Sequence, residues 1–336
     1  MKAMLLDKIA PIDTAPLRWA AEVPAPTPGP GEVRVKVRCC AVCRTDLHVV
    51  EGDLPPVKSP VIPGHQIVGV VDKLGAGCRR LSLGARVGVA WLRHTCGVCR
   101  FCASGRENLC ERSQYTGYHA DGGYAEYAVA PEDFAYELGD ETLTDAEIAP
   151  LLCAGIIGHR ALKRCGLRPG GRLGLFGFGS SAHLVLQIAR HRGHEVYVVS
   201  RGERHRRLAM QAGAAWCGAD AGEMPERLDA AIVFAPLGAV VPTALSALDS
   251  GGTAVLAGIH MTAIPSLDYQ THLFRERDVH PVTANTRQDG CEFLAEAAAA
   301  GIRPRTVSYP LSEANHALQD LKAGRVEGTA VLVVGA

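Results

Sequence analysis

The densest concentration of metal-binding chemistry in this chain is Cys96-Gly97-Val98-Cys99-Arg100-Phe101-Cys102, completed by Cys110. The spacing, C-x2-C-x2-C-x7-C, lets four thiolates converge from one short loop on a tetrahedral ion with little chain to close. Four thiolates fill such a shell, so the expected role is a closed, structural zinc site that contributes folding energy. Disulfides are the competing use of these cysteines. Two-residue spacings suit them poorly, and no secretory signal supplies an oxidising compartment. A second set of soft donors, Cys43, His65 and Cys153, is dispersed along the chain, and the two sets together point to two zinc ions.

A different chemistry resides in Gly177-Phe178-Gly179-Ser180-Ser181-Ala182, which follows an apolar strand at 172–176 and opens a helix. It matches the G-x-G-x-x-G/A dinucleotide fingerprint. Gly177 suits the tight turn, Gly179 lets the backbone approach a pyrophosphate, and Ala182 lets the helix pack closely on the sheet; Ser180 and Ser181 suit a helix start. An ordinary glycine-rich turn would use the same residues, but the alternation of strands and helices around it favours the nucleotide reading. About twenty residues on, the second strand should end at the group that reads the adenosine ribose, usually an acid in NAD enzymes. Here the strand ends Val199-Ser200-Arg201-Gly202-Glu203-Arg204-His205, with no carboxylate at the tip. Ser200 leaves room, and Arg201 with Arg204 or His205 would hold a 2′-phosphate through charge-assisted bonds, which favours NADP over NAD. The plainer alternative is a solvated basic helix start, although basic residues there oppose the helix dipole.

The elements that must position these residues fall into two textures. Up to about residue 150, short β-branched runs at 32–38, 67–71, 86–90 and 124–129 are punctuated by Gly and Pro, an all-β pattern. From Pro150 a helical stretch to Cys165 leads into buried parallel strands at 172–176, 195–199, 230–234 and 253–257 that alternate with helices, an α/β pattern. The tail returns to mixed structure, with a helix at 313–323 and a final strand at 329–334. A chain of 336 residues exceeds the size at which one core keeps growing, so two domains are expected. Its 35 basic and 35 acidic residues give no global attraction for nucleic acid or an anionic membrane. No apolar run reaches the roughly 18 to 20 residues that span a bilayer. The opening Met1-Lys2-Ala3-Met4-Leu5-Leu6-Asp7 reads as a first strand, and the expected location is the cytoplasm. Of the cysteines outside the two sets, Cys39 and Cys40 end the alternating run Val33-Arg34-Val35-Lys36-Val37 and read as small core residues.

The segments Cys43-Arg44-Thr45-Asp46-Leu47-His48 and Gly64-His65-Gln66-Ile67-Val68-Gly69, with Cys153, the four-cysteine loop and the glycine-rich turn, occur in an order and spacing that resembles the zinc-dependent alcohol dehydrogenases of the medium-chain dehydrogenase/reductase superfamily. The resemblance spans nearly the whole chain. It is closest in kind to the bacterial propanol-preferring type and shares features with cinnamyl-alcohol-type aldehyde reductases. What it implies is an α/β protein: a GroES-like β-rich catalytic domain over 1–152 that resumes over 288–336, and a Rossmann doubly wound parallel-sheet domain over 153–287. It also implies a catalytic zinc held by Cys43, His65 and Cys153, with a fourth position for water or substrate oxygen. Two thiolates and a neutral imidazole leave such an ion formally neutral, yet still a Lewis acid. The implied reaction is reversible hydride transfer between a primary, allylic or aryl alcohol, or its aldehyde, and a nicotinamide cofactor.

Carried over residue by residue, the resemblance makes Thr45 and His48 a relay that takes the alcohol proton, by way of the cofactor ribose, to an imidazole at the surface, a task suited to a group titrating near neutrality. His48 equally reads as an ordinary surface histidine. Asp46 would accept a bond from the His65 ring and fix which nitrogen faces the metal, and Arg44 would sit near the pyrophosphate. One departure is Gln66, where the family commonly has Glu; a neutral amide offers a weaker oxygen, which puts ligand exchange in question. Trp91, Leu92, Tyr118, His119, Ile157 and Ile259 are candidates for the substrate pocket, Ile259 also for the cofactor site, and each equally suits core or interface packing. An apolar funnel would favour unbranched or aryl alcohols over polyols. Ala284-Asn285-Thr286-Arg287 resembles the stretch at the nicotinamide side, and Arg325 would reach a phosphate. A homodimer or homotetramer follows from the resemblance alone. The alternatives are a polyol dehydrogenase on the same scaffold, against which Trp91 and Leu92 argue, and a non-catalytic zinc or NADPH-binding protein, against which the intact Cys43, Thr45, His48, His65 and Cys153 argue.

Overall fold

A computed structural model of the chain describes residues 1–139 and 142–335. The chain divides into two compact units: Met1–Cys153, Ala284–Cys291 and Arg303–Ala336 form the first, and Ala154–Thr283 with Glu292–Ile302 the second. The expected hand-over at 287/288 is thus replaced by three crossings, at 283/284, 291/292 and 302/303, because residues 284–291 stay with the first unit while residues 292–302, with Phe293 and Ile302 buried, belong to the second.

The first unit is built on a seven-stranded sheet. Its order runs Thr306–Pro310, Thr329–Val333, Glu32–Ala41, Gln66–Leu74, Arg86–Val89, Ala135–Glu137, with Tyr127–Pro131 also pairing to Glu32–Ala41. All pairs are antiparallel except that of the two C-terminal strands. The alternation read from 33–37 is real: Val33, Val35 and Val37 are buried while Arg34 and Lys36 are more open. The alternation runs through the register shift at Arg34/Val35 and ends at the one between Val37 and Cys39, after which Cys39, Cys40 and Ala41 are all buried.

Two small antiparallel ribbons complete this unit, Ala3–Leu6 with Leu17–Ala20 and Leu92–His94 with Gln114–Tyr115. The latter brackets the four-cysteine loop.

The second unit holds six parallel strands, ordered Trp216–Gly218, Glu195–Val199, Arg172–Phe176, Leu228–Val233, Leu248–Leu256, Asp278–Pro281. Numbered along the chain that order is 3-2-1-4-5-6, the doubly wound arrangement whose first strand feeds the phosphate-binding turn. Its central strands are apolar throughout, since helices cover both faces: Leu173, Leu175, Val198, Ile232, Val233 and Val255 are fully buried. Among the described residues no helix is long and apolar enough to cross a membrane.

Candidate active site

Cys43 ends the segment after strand Glu32–Ala41 and caps the helix Arg44–Glu51. Its extended backbone lets the sulfur accept from the Thr45 N–H at 3.3 Å, while the Asp46 carboxylate accepts the Cys43 N–H at 2.9 Å. This reciprocal cap leaves the sulfur at the helix start, where the dipole favours a thiolate. His65 immediately precedes the strand Gln66–Leu74, behind Gly64. Gly64 has φ +97° and a Cβ there would lie 2.3 Å from the Tyr124 ring, so only glycine lets the chain turn His65 inward. Cys153 closes the turn that follows Ala149–Leu152.

The three ligand atoms lie within 4.8 Å of one another. His65 Nε2 is 3.3 Å from the sulfurs of both Cys43 and Cys153. Zinc bonds of about 2.3 Å to sulfur and 2.0 Å to nitrogen would set such pairs about 3.5 Å apart in a tetrahedron, so the donor set fits that ion. The other ring nitrogen, Nδ1, donates to Asp46 at 2.9 Å, which dedicates Nε2 to the metal side. Asp46 is itself buried and accepts a third bond from the Tyr124 hydroxyl at 3.1 Å.

The electrostatics agree with a cation-binding trio. Burial opposes ionisation of Cys43, but the Cys153 thiol and the His65 ring outweigh it and hold Cys43 well below the usual thiol range. The bond Cys153 makes to Cys43, and then burial, push Cys153 well above that range. Burial works against a charged His65, yet Cys43 and Asp46 prevail and the ring is pushed up to about 10. The protein's own charges therefore place two protons where a divalent ion would sit.

Thr45 and His48 lie three residues apart on one face of the helix, both buried. His48 is only 7% exposed, which corrects the expected surface imidazole. Its Nδ1 bonds Asp53 Oδ2 at 2.7 Å, and it is the Asp53 side chain, 43% exposed, that meets solvent. Gln66 is completely buried opposite Ala41, and neither of its amide atoms has a hydrogen-bond partner among the described residues.

Trp91 packs edge-on against the His65 ring, with centroids 4.9 Å apart. Its other neighbours are Tyr115, stacked at 4.9 Å, and Tyr118, stacked at 6.0 Å, and His119 closes the group against Tyr118. Trp91 and Tyr118 thus adjoin the trio, whereas Leu92 is buried opposite Tyr115 in its small ribbon. Ile157, half-buried on the helix Ala154–Cys165, and Ile259, 47% exposed, both belong to the second unit.

The four-cysteine loop is equally converged, its ligand atoms falling within 4.8 Å. The Cys99 and Cys102 sulfurs are 3.6 Å apart, and those of Cys96 and Cys102 3.9 Å. Backbone N–H groups of Val98 and Cys99 point at Cys96 and lower its thiol to about 5. Glu107, inside the loop, accepts Arg287 Nη2 at 2.8 Å and the Arg287 backbone N–H at 2.8 Å.

In the second unit Gly177 turns the chain with φ +91°, and Gly179 caps the helix Ser180–His191 without a side chain. The first-turn N–H groups are thereby left uncapped by Gly179, and nothing would lie within 4 Å of a Cβ there, which fits a pyrophosphate. Ser181 is half-buried, and Ala182, in the first turn of that helix, is fully buried. At the second strand's tip Ser200 is buried, and Arg206 folds back to donate to the carbonyls of Ser200 and Arg201 at 2.7 and 2.8 Å. Arg201 and Arg204 remain exposed, and His205 is half-buried beside Gly202. Arg44 is exposed at the start of its helix. Asn285 is buried and donates to the Thr286 carbonyl at 3.0 Å, while Arg325, just past the helix Ala314–Lys322, pairs with Asp320 of that helix at 2.7 Å. Tyr124 and Glu107 carried no sequence signal, because each acts across a distance in the chain that no local pattern encodes; Asp53 is only five residues from His48, but it lies past the end of the helix Arg44–Glu51, outside the i,i+3 and i,i+4 pairings a helical pattern reveals.

Residues 29–140 match the alcohol dehydrogenase GroES-like domain and residues 181–299 the zinc-binding dehydrogenase family. The chain is 52% identical to the probable alcohol dehydrogenase AdhA of Mycobacterium tuberculosis, over 99% of this chain and 97% of that one. Among solved structures, a cinnamyl alcohol dehydrogenase of Sorghum bicolor superimposes with a TM-score of 0.90 at 26% identity, covering 99% of this chain and 97% of that one. The cobalt- and zinc-bound thermostable alcohol dehydrogenase of Pyrobaculum aerophilum does so with a TM-score of 0.89 at 28% identity, covering 99% of each. Sequence likeness along its whole length and the same two-part architecture agree: this chain belongs to the zinc-type medium-chain alcohol dehydrogenases and is an oxidoreductase.

Proposed function

We propose that this alcohol dehydrogenase holds two zinc ions, one in each cysteine set, and interconverts primary, allylic or aryl alcohols and their aldehydes with NADP preferred over NAD. The observation that carries the reading is the trio of Cys43, His65 and Cys153, braced by Asp46 and walled by Trp91 and Tyr118. A zinc ion in that trio would supply Lewis acidity toward the substrate oxygen, and a bound nicotinamide would supply the hydride acceptor or donor.

The chain's own residues do the rest. Thr45 and His48 accept the hydroxyl proton, and the Asp53 carboxylate on His48 Nδ1 makes Nε2 the nitrogen that gains and loses it. Asp53 then connects the buried imidazole to solvent. The flat face of the Trp91 and Tyr118 stack favours planar, unsaturated substrates over polyols. Gly177, Gly179, Ser180, Ser181 and Ala182 seat the pyrophosphate, assisted by Arg44; Ser200, Arg201 and His205 take the 2′-phosphate; Asn285 and Ile259 lie at the nicotinamide end. Family likeness supports a cytoplasmic homodimer or homotetramer.

The test is a rate panel that crosses both cofactors with aliphatic, allylic and aryl alcohols and their aldehydes. Cys43→Ser should abolish turnover while NADPH binding persists. Arg201→Ala should cut the preference for NADP by removing a charge-assisted contact, roughly tenfold or more. An unchanged cofactor ratio refutes the NADP assignment, and undiminished turnover in Cys43→Ser refutes the metal trio.

A further inference from the structure

The four-cysteine loop closes its own coordination shell and is remote in sequence from the reacting trio, yet it is tied to the segment assigned above to the nicotinamide end. Glu107 lies between Cys102 and Cys110, in the turn Glu107–Leu109, and is 8% exposed. Its Oε1 accepts the Arg287 backbone N–H at 2.8 Å and Nε at 3.1 Å; its Oε2 accepts Nε at 3.1 Å, Nη2 at 2.8 Å and the hydroxyl of Thr95, the residue before Cys96, at 3.4 Å. Arg287 also lies over the Phe134 ring, 4.5 Å from its centroid. One carboxylate therefore joins the base of the loop to the first residue of the helix Arg287–Ala299.

The segment that Arg287 anchors is rigid by several independent contacts. Thr286 N–H and Oγ1 both donate to Asp289 at 2.9 and 2.8 Å, and Asn285, Thr286 and Asp289 are all buried. Ala284 adopts φ +46°, a left-handed conformation that costs a non-glycine residue energy and persists only where its surroundings impose it. Residues 284–291 pack as part of the first unit, although the chain on either side belongs to the second.

We propose that the four-cysteine loop is a positioning device for the cofactor, in which Glu107, by clamping Arg287, sets the backbone of residues 284–287 that meets the nicotinamide end. The inference rests on the assignment of that segment given above. Glu107 and Arg287 are positioning residues, so their loss should weaken cofactor binding more than it slows the bound complex.

The test uses the full-length, zinc-loaded protein and NADPH, whose nicotinamide fluorescence reports binding. Glu107→Gln and Arg287→Ala should each raise the NADPH Kd about tenfold, within the range of coupling carried by packed networks, with the cofactor KM rising more than kcat falls. The double variant should be little worse than either single one, because both remove the same clamp. Zinc content, measured alongside, should stay at the parent value; if Glu107→Gln sheds metal, Arg287→Lys, which keeps the charge but loses the two-pronged bond, carries the test. Unchanged Kd in the clamp variants, or additive losses in the double variant, overturns the clamp. Asn285→Ala separates the two ideas: a raised Kd there with none in the clamp variants sinks the clamp alone, and no rise in any of them sinks the nicotinamide assignment with it. A rise in the clamp variants that does not add in the double variant upholds the proposal whether or not Asn285→Ala follows.

Discussion

Replacing Asp46 by asparagine should show how far the metal trio depends on a single buried charge. The side chain is 2% exposed, and its two oxygens accept three bonds, from His65 Nδ1, the Cys43 N–H and the Tyr124 hydroxyl. In Asp46→Asn the amide oxygen would keep the His65 bond, leaving the NH2 group to face the other two donors. The Tyr124 hydroxyl can rotate and accept. The Cys43 N–H cannot, and a buried unpaired donor costs about 1–3 kcal/mol. The flipped amide rescues Cys43 and strands the His65 N–H at a similar cost. Losing the charge also weakens the bond that orients the imidazole, and changes of this type lower metal affinity about 10–100-fold, or about 1.4–2.8 kcal/mol. Competition with a chromophoric chelator would resolve the two zinc ions, with alcohol oxidation followed in parallel and Tyr124→Phe as the control that removes only the third bond. The more weakly held ion should belong to Asp46→Asn's trio and activity should fall with it, while the four-cysteine ion is unaffected. Parent-like affinity and rate in Asp46→Asn would refute the idea that this carboxylate braces the trio.

Two further outcomes follow from the titratable groups. Zinc binding to the trio should expel the protons that Cys153 and His65 hold against the protein's own charges, about two per site near neutral pH; calorimetry in buffers of different ionisation enthalpy measures the number, and a value near zero would show that both groups are already deprotonated. In the second unit His159 is 4% exposed and faces Glu292, Glu296, Arg192 and Lys163. Burial lowers its pKa more than Glu296 raises it, so the unfolded chain takes up the proton first and stability should decline as pH falls below the ordinary histidine value of 6.5. His159→Gln should flatten that decline in urea titrations from about pH 7 to about pH 5; parent protein that gains stability on acidification would mean the carboxylates dominate.

What the sequence by itself determined is what short-range geometry encodes. The four-cysteine loop, the Gly177 turn and the strands at 172–176 and 195–199 are legible because ligand spacing, positive φ and continuous apolar runs are local properties, and the structure reproduces those two strands to the residue. The trio of Cys43, His65 and Cys153 was legible only through likeness to a known pattern, since nothing in the spacing brings Cys153 to the other two. Tertiary structure alone decided the rest. It buried His48 and made Asp53 the group that meets solvent, turned Arg206 inward while Arg201 stayed exposed, set Tyr124 on Asp46, and joined Arg287 to Glu107. These are pairings between polar groups whose partners are chosen by burial, because a buried charge or donor must be matched wherever the fold happens to place it. Such a match has no period and no spacing, and so leaves no trace in the order of the residues.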